Sequence, residues 1–272
     1  MTNPYKEITF LSVIPEQVEV LIAWLAEAGY EGFEEREQML LAYIPAQHFD
    51  PNRLADLARS VSVSYTIEES LATNWNAHWE SNFEPVTMGS FLHIRASFHP
   101  PYSLAQHEIV ITPKMSFGTG HHASTRLMAQ AMASLDFQDK KVLDFGTGTG
   151  ILAILAEKLG ASRIVAIDDD EWSIQNAQEN IAANHCNRIE LIKQCHPRSA
   201  ARFEFVLANI NLSVICQHLT TLVQVLEPGG QMLLSGFLRE DILALEALTL
   251  FRGLRSEEIG HTGEWGLIRL SS

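Results

Sequence analysis

The sequence predicts an α/β protein in which a large domain with a mostly parallel sheet follows a small ferredoxin-like α+β domain. Three observations predict this architecture. A glycine-rich turn at residues 146–150 separates a predicted strand from a predicted helix. After this turn, helices and strands alternate, which is typical of a parallel sheet covered by helices on both faces. The first 70 residues follow the order β-α-β-β-α-β, which is that of a ferredoxin-like domain.

Six elements are predicted in the N-terminal 70 residues. In the first helix, apolar residues recur on one face and Gly29 ends the helix. Pro51 opens the second helix behind Asp50, a possible N-cap. The strands are predicted from alternating polarity at 5–13, 31–35, 38–45 and 61–68, and the helices at 16–28 and 51–59. Because this region has no glycine-rich loop, we expect it to bind a partner and not to catalyse.

A short aromatic segment at 71–83 marks the domain boundary. Trp75, Trp79 and Phe83 recur every four positions and would share one face of a helix. Such a face either packs two domains together or recognises a partner. We therefore expect domains at 1–70 and 85–272, joined by a linker helix at 71–84.

The next region is predicted to contain strands at 90–97 and 108–112, a loop rich in glycine and hydroxyl groups at 115–125, and a helix at 125–135. Ser124 or Thr125 is a plausible N-cap for this helix. His121 and His122 raise the question of a metal site. Neighbouring side chains diverge, however, and no further carboxylate or cysteine stands at ligand spacing, so we expect no metal.

The large domain continues in regular alternation after the glycine-rich turn. Helices are predicted at 151–159, 171–184, 212–225 and 239–250, and strands at 163–168, 188–193, 203–210, 231–236, 253–260 and 264–270. The short turn at 261–263 makes the last two strands antiparallel, since a parallel crossover needs about a dozen residues or more.

Polar residues at the ends of the predicted strands suggest where a ligand binds. Gly146 and Gly148 let the backbone bend and let a ligand approach it without a Cβ in between. Asp168 closes the next strand, 22 residues after Gly146, where nucleotide-binding folds place the carboxylate that accepts hydrogen bonds from ribose hydroxyls. Asn209 closes a third strand at the same edge, and we take it as a further candidate.

A dinucleotide or S-adenosylmethionine could occupy such a site, and three details favour S-adenosylmethionine. The glycines are spaced G-x-G-x-G and not G-x-G-x-x-G. Asp144 stands where it would repel a pyrophosphate but would suit a ligand that carries an ammonium and a sulfonium. The sheet is also predicted to end in an antiparallel pair.

Composition narrows the class of protein further. The 272 residues are 46% hydrophobic and 19% charged, with a net charge of −14. No apolar run approaches the roughly 20 residues needed to cross a bilayer, and the N-terminus lacks a secretory pattern. Cys186, Cys195 and Cys216 show no C-x-x-C spacing, so we expect a reducing, cytoplasmic setting. The acidity, which is common in cytosolic proteins, favours a cationic partner over direct nucleic-acid binding.

These residues together resemble the PrmA family, the methyltransferases of large-subunit ribosomal protein L11. Residues 142–150 are similar to the first motif of class I S-adenosylmethionine-dependent methyltransferases. Residues 117–125 (FGTGHHAST) resemble the family's own F-G-T-G-x-H-x-x-T loop, which is far more specific. Residues 75–85 are similar to its linker, and residues 208–210 to its A-N-I motif.

The resemblance implies a Rossmann-like class I methyltransferase domain preceded by a domain that recognises the ribosomal protein. It places Thr125, Gly146, Asp168 and Asn209 at S-adenosylmethionine, with Gly148 in the same turn. The implied reaction is methylation of lysine ε-amines and the N-terminal α-amine. The chain departs from the family at Thr112-Pro113-Lys114, where the family often has Asp-Pro-Gly, and at Asp170-Glu171, where it often has Asp-Pro.

Several questions stay open at this point. No side chain stands out as the general base, although His121 or His122 is a candidate. Another protein, RNA or a small-molecule amine could be the substrate in place of L11. The chain could also be a sensor that binds S-adenosylmethionine without turnover.

Overall fold

The structure is a computed structural model, and it describes residues 5–14, 17–18, 21–22, 24–25, 28–30, 32–36, 39–70, 83–112, 118–197 and 201–272. The chain divides into two compact units, Met1–Phe83 and Glu84–Ser272. The predicted linker helix at 71–84 lies almost entirely outside the described residues.

The N-terminal unit is built on a four-stranded antiparallel sheet. Its strands are β1 (Tyr5–Leu11), β2 (Gly32–Arg36), β3 (Met39–Pro45) and β4 (Ser64–Ser70), in the order β2-β3-β1-β4. The described residues of 17–25 are helical, and α1 spans Pro51–Val61. Asp50 caps α1, as predicted, by accepting hydrogen bonds from the N–H groups of Asn52 and Arg53.

One boundary in this unit was predicted wrongly. The alternation at 61–68 suggested a strand from Val61, but α1 runs through Val61. Ser62 then adopts a left-handed conformation (φ 59°) that ends the helix, so β4 begins only at Ser64. A helix cap therefore outweighs the local alternation of valine and serine.

The C-terminal unit begins with a small sheet. β5 (Val86–Met88) pairs antiparallel with β6 (Leu92–Arg95), which pairs parallel with β7 (His107–Val110). β5 was not predicted from the sequence. α2 (Ala123–Met132) follows, and its N-cap is His122, whose Nδ1 accepts a hydrogen bond from the N–H of Ser124. The predicted caps Ser124 and Thr125 are therefore wrong, because both lie inside the helix.

The remaining elements of this unit form a seven-stranded sheet with helices on both faces. They are β8 (Lys141–Phe145), α3 (Ile151–Lys158), β9 (Arg163–Asp168), α4 (Glu171–Ala183), β10 (Ile189–Lys193), β11 (Phe203–Asn209), α5 (Leu212–Val225), β12 (Leu226–Leu238), α6 (Ile242–Leu250), β13 (Arg255–Thr262) and β14 (Trp265–Ser271). A 3-10 turn, Arg239–Asp241, precedes α6 and shortens the helix predicted at 239–250.

The order of the large sheet is β10-β9-β8-β11-β12-β14-β13. The first five strands are parallel, and β14 pairs antiparallel with both β12 and β13. Neighbouring residues of a strand belong to hydrophobic clusters on opposite faces of the sheet, as Val142 and Leu143 of β8 do. The sheet thus holds all of its parallel carboxyl ends along one edge. Among the described helices, none is long and apolar enough to cross a membrane.

Candidate functional site

A cavity of about 780 Å³ opens at the carboxyl ends of the parallel strands. Four of the five predicted site residues line it: Gly146, Gly148, Asp168 and Asn209. They come from the ends of β8, β9 and β11, so strand topology brings together residues that are up to 63 positions apart. A cavity of this size at this edge is typical of a small-molecule site in an open α/β sheet.

The glycine-rich turn depends on backbone conformations that other residues rarely adopt. Gly146, Gly148 and Gly150 have φ angles of 74°, 54° and 81°. A Cβ on Gly146 would overlap the Ile210 side chain. The left-handed conformation accounts for glycine at all three positions, and the close approach of Ile210 is a second reason for glycine at position 146.

Asp168 joins the turn to the end of β9. Its Oδ2 accepts a hydrogen bond of 2.8 Å from the N–H of Gly148, and its Oδ1 accepts one of 3.1 Å from the N–H of Asp170. A carboxylate has about four acceptor positions, so both oxygens keep capacity for a ligand. Asp168 therefore shapes the turn and also presents a negative charge to the cavity.

Asn209 is the residue of the cavity with the clearest unmet hydrogen-bonding capacity. It is 7% exposed, and its Nδ2 donates to Thr125 Oγ1 at 3.2 Å. Its Oδ1 is buried and has no hydrogen-bond partner within the described part of the chain. An unpaired buried carbonyl is costly, so this oxygen fits an amine or ammonium donor held in the cavity.

Thr125 differs from the other four predicted residues. It is fully buried on the first turn of α2 and is not among the residues that line the cavity. Its only role visible here, within the described residues, is to accept the amide hydrogen of Asn209. The geometry thus gives Thr125 an orienting place, whereas direct contact with the cofactor remains a prediction.

Asp144 occupies a different place from the one its position in the motif suggested. It is 1% exposed and does not line the cavity. Its Oδ2 accepts hydrogen bonds from Thr147 Oγ1 at 2.6 Å and from the N–H of Ala153 at 3.1 Å. Burial raises the pKa of this carboxyl from its ordinary value to about 7. Asp144 therefore stabilises the turn and the start of α3 and does not face a ligand.

Several residues that line the cavity were not predicted from the sequence. Gln194, Cys195 and His196 follow β10, and the strand-end rule that found Asn209 could also have found them. His218 lies on α5, with its ring 5.2 Å from that of Phe145. Burial lowers the pKa of His218, and nearby His196 lowers it further. Trp265 comes from β14, and no local sequence pattern marks it.

The two adjacent histidines of the loop lie outside the lining of this cavity. His121 Nε2 hydrogen-bonds with the carbonyl of Glu84 at 2.9 Å, and its Nδ1 lies 3.1 Å from Thr119 Oγ1. His122 caps α2 and packs edge-on against Trp265, with ring centroids 4.3 Å apart. These contacts support the loop. The geometry gives no support to either histidine as the general base. Within the described ranges, no three metal-ligating side chains converge.

The donor set of the cavity fits S-adenosylmethionine. Asp168 can accept hydrogen bonds from ribose hydroxyls, and the glycines leave room for the chain of an amino acid. Asp168 and Asp169 give this edge a negative charge that complements an ammonium and a sulfonium. Asn209 Oδ1 supplies a further acceptor that is buried and unpaired among the described residues.

Comparisons with known proteins agree on one family. A profile described as "Ribosomal protein L11 methyltransferase (PrmA)" matches residues 16–272. The chain is similar to the "Ribosomal protein L11 methyltransferase" of Porphyromonas gingivalis, with 37% identity over 93% of this chain and 90% of that one. The protein of the same name from Chlorobaculum tepidum is 38% identical, over 88% of this chain and 87% of the other.

A solved structure agrees in fold. The crystal structure of a ribosomal protein L11 methylase from Lactobacillus delbrueckii subsp. bulgaricus superposes with a TM-score of 0.65 at 26% identity. The match covers 70% of this chain and 98% of that one.

Proposed function

The chain belongs to the ribosomal protein L11 methyltransferase (PrmA) family, and on that premise we propose that it methylates amino groups of ribosomal protein L11. The members of this family are protein methyltransferases, and S-adenosylmethionine is the cofactor that membership implies. We assign the lysine ε-amines and the N-terminal α-amine as the acceptors. The observation that supports an amine acceptor best is the buried, unpaired Oδ1 of Asn209 in the cavity.

In this proposal each predicted site residue has its own role in holding the cofactor or in orienting the acceptor amine. Gly146 and Gly148 let its amino-acid part lie against the backbone, and Asp168 accepts hydrogen bonds from its ribose. Thr125 holds the side chain of Asn209 through the bond to its Nδ2. Asn209 Oδ1 is then aimed at the amine that receives the methyl group.

The chain contributes to the reaction mainly by positioning. When bound, S-adenosylmethionine supplies a methyl group on a positively charged sulfur, so the leaving group needs no protonation. Holding the acceptor nitrogen in line with that methyl group accounts for much of the barrier reduction. Asn209 Oδ1 can accept one N–H bond of the amine and so orient its lone pair.

The acceptor amine must also lose a proton, because a free lysine has a pKa of about 10.4. Burial of the amine beside a positively charged sulfonium would favour its neutral form. His121 and His122 are engaged in the loop, which leaves water or His218 to take this proton. His218 lines the cavity with a lowered pKa, and so it is neutral near pH 7 and able to accept a proton.

The distribution of charge supports a basic protein as partner. Residues 1–83 contain 13 acidic and 4 basic side chains, a net charge of −9 out of −14 for the whole chain. Such an acidic unit attracts a basic ribosomal protein and repels nucleic acid. We therefore assign substrate recognition to the N-terminal unit, expect no direct contact with RNA, and place the reaction in the cytoplasm.

A methyl-transfer assay tests this function. Radiolabelled S-adenosylmethionine is incubated with the enzyme and with ribosomal protein L11, free amino acids or ribosomal RNA in parallel. We expect label in L11 alone, and mass spectrometry should place it on lysines and the N-terminus. L11 with its amines already blocked by reductive methylation is the matched control and should accept no label.

Each other outcome contradicts a specific part of the proposal. Label in RNA or in free amino acids would show that the enzyme acts on another class of substrate. Measured binding of S-adenosylmethionine with no transfer to any acceptor would favour a cofactor sensor.

A further inference from the structure

Thr149, the fourth residue of the glycine-rich turn, connects that turn to residues 118–125, which we call the signature segment. Its Oγ1 donates a hydrogen bond of 2.6 Å to the carbonyl of Gly118. Thr149 is fully buried, and Gly118 is buried as well. Thr149 is not among the residues that line the cavity, so its hydroxyl has no direct part in binding a ligand there.

Gly118 is matched to this contact. Its φ angle of 103° is one that other residues rarely adopt, and an added Cβ would lie 2.8 Å from Thr149 Oγ1. Gly118 therefore cannot gain a side chain without displacing Thr149. This is a physical reason for the first glycine of the F-G-T-G sequence.

The signature segment is held at its other end by the cavity itself. Thr125 Oγ1 accepts the hydrogen bond from Asn209, which lines the cavity. Between the two ends, His122 packs against Trp265, another lining residue. A shift of Gly118 would therefore be transmitted toward Asn209 and Trp265, two residues of the cavity lining.

Asn180 on α4 holds Thr149 from the opposite side. Its Nδ2 donates to the Thr149 carbonyl at 2.8 Å, and its Oδ1 accepts from the N–H of Thr112 at 2.7 Å. Asn180 is fully buried. Gly118 is thus tied directly to Thr149. Thr112, on the other side of residues 113–117, is tied to Thr149 through Asn180.

We propose that Thr149 is a positioning residue for methyl transfer, whose hydroxyl fixes the signature segment relative to the cofactor-binding turn. The effect on methyl transfer rests on the proposed function. The effect on the position of the signature segment rests on the hydrogen bonds alone. Loss of the hydroxyl leaves the Gly118 carbonyl buried and unpaired, which favours displacement of the segment. The turn itself keeps its contacts with Asp168 and Asn180.

Variants at both ends of the contact test the proposal. Thr149→Val should lower kcat/KM for ribosomal protein L11 by about 10- to 100-fold, with the Kd for S-adenosylmethionine changed by less than about 3-fold. Thr149→Ser keeps the hydroxyl and should restore kcat/KM to within about 3-fold. Gly118→Ala should lower kcat/KM at least as much as Thr149→Val, because its Cβ would displace Thr149 Oγ1 and a φ angle of 103° strains an alanine.

Hydrogen exchange provides a readout that is independent of activity. Amides of residues 118–122 should exchange faster in Thr149→Val than in the wild type, and should exchange normally in Thr149→Ser. Thr147→Val is the matched control, since Thr147 lies in the same turn but its hydroxyl bonds to Asp144. It should leave exchange at 118–122 unchanged.

The outcomes separate the two proposals. If wild-type enzyme transfers no methyl group to L11, the proposed function fails, and exchange at 118–122 still decides whether Thr149 holds the segment. If Thr149→Val exchanges and reacts like wild type, or loses cofactor affinity as strongly as kcat/KM, the positioning role is wrong. Should Thr149→Val not fold, Thr149→Ala, which also lacks the hydroxyl, carries the same comparison.

Discussion

The two units of the chain use their carboxylates in contrasting ways. In the N-terminal unit, the described acidic side chains, such as Glu68 and Asp56, lie at least partly in solvent. The C-terminal unit, by contrast, buries Asp144 completely beneath the glycine-rich turn and keeps Asp168 at the cavity. The same chemical group thus provides long-range attraction in one unit, and local structure and ligand contact in the other. Burial decides which of these roles a carboxylate has, and four sets of substitutions can test that contrast.

The buried carboxylate should give the largest effect. The pKa of Asp144 is raised to about 7, above its ordinary value of 3.8. Its contribution to stability is therefore fully present below about pH 4 and is lost as the pH rises toward 7. In Asp144→Asn this dependence should disappear, so the difference in unfolding free energy from wild type should change by about 4 kcal/mol between pH 4 and pH 8.

Denaturant unfolding at several pH values measures this difference directly. Asp170→Asn, which changes an exposed carboxylate at the start of α4, is the control for a general effect of charge. A constant difference between Asp144→Asn and wild type across the range would mean that Asp144 ionises like a surface residue.

The cavity carboxylate should give the next largest effect. Asp168→Ala removes the ribose acceptor and leaves the Gly148 N–H without its bond, so we expect cofactor affinity to fall by about 100-fold. Calorimetric titration with S-adenosylmethionine measures the change. Glu240→Ala, an exposed carboxylate outside the lining, controls for net charge and should bind as wild type does. Unchanged affinity in Asp168→Ala would refute the assignment of this cavity.

A neutral residue tests how far the cavity depends on orientation alone. Thr125→Val removes the acceptor for Asn209 Nδ2, and we expect kcat to fall by about 3- to 10-fold, with Thr125→Ser close to wild type. Asn209→Ala should cost more, about 10- to 100-fold. If Thr125→Val still lowers kcat in the Asn209→Ala background, Thr125 contacts the cofactor or substrate by itself.

The surface carboxylates of the N-terminal unit should give the smallest effect. Glu7 and Glu68 lie directly opposite each other on β1 and β4, where like charges repel. Glu7→Gln with Glu68→Gln should stabilise the protein by a few tenths of a kcal/mol, about 0.2 to 1. The same change should raise KM for L11 about 2- to 5-fold at low salt and leave the cofactor Kd unchanged.

Salt provides the control for this last prediction. Raising the ionic strength should increase the wild-type KM for L11 and should remove most of its difference from the double variant. A KM that changes with neither salt nor the substitutions would mean that the basic protein is recognised away from this sheet.

Much of the fold was predictable because its signals are local. The glycine spacing, the alternation of elements and the antiparallel final pair all correspond to observed strands and helices. The errors arose where a short-range contact overrides pattern. His122 caps α2 in place of a serine or threonine, and Ser62 ends α1 inside an apparently alternating strand.

The site was predictable only where the strand-end rule applies. Asp168 and Asn209 follow their strands directly, and the structure brings both to the cavity. Trp265 and His218 line the same cavity because of tertiary packing, and no local sequence pattern indicates this. Asp144 shows the reverse case, since its place in the motif suggested a ligand contact and its burial gives it a structural one.

The position of β14 in the large sheet has a consequence for the order of folding. β14 follows β13 in the chain but lies between β12 and β13. β13 can therefore join the sheet only as part of a hairpin with β14, and this local hairpin can form within about 1–10 μs, before the slower pairing with β12. Trp265, the first residue of β14, arrives at the cavity with that hairpin. The nucleus around the glycine-rich turn can thus assemble first, and the cavity gains its last wall only when the hairpin docks.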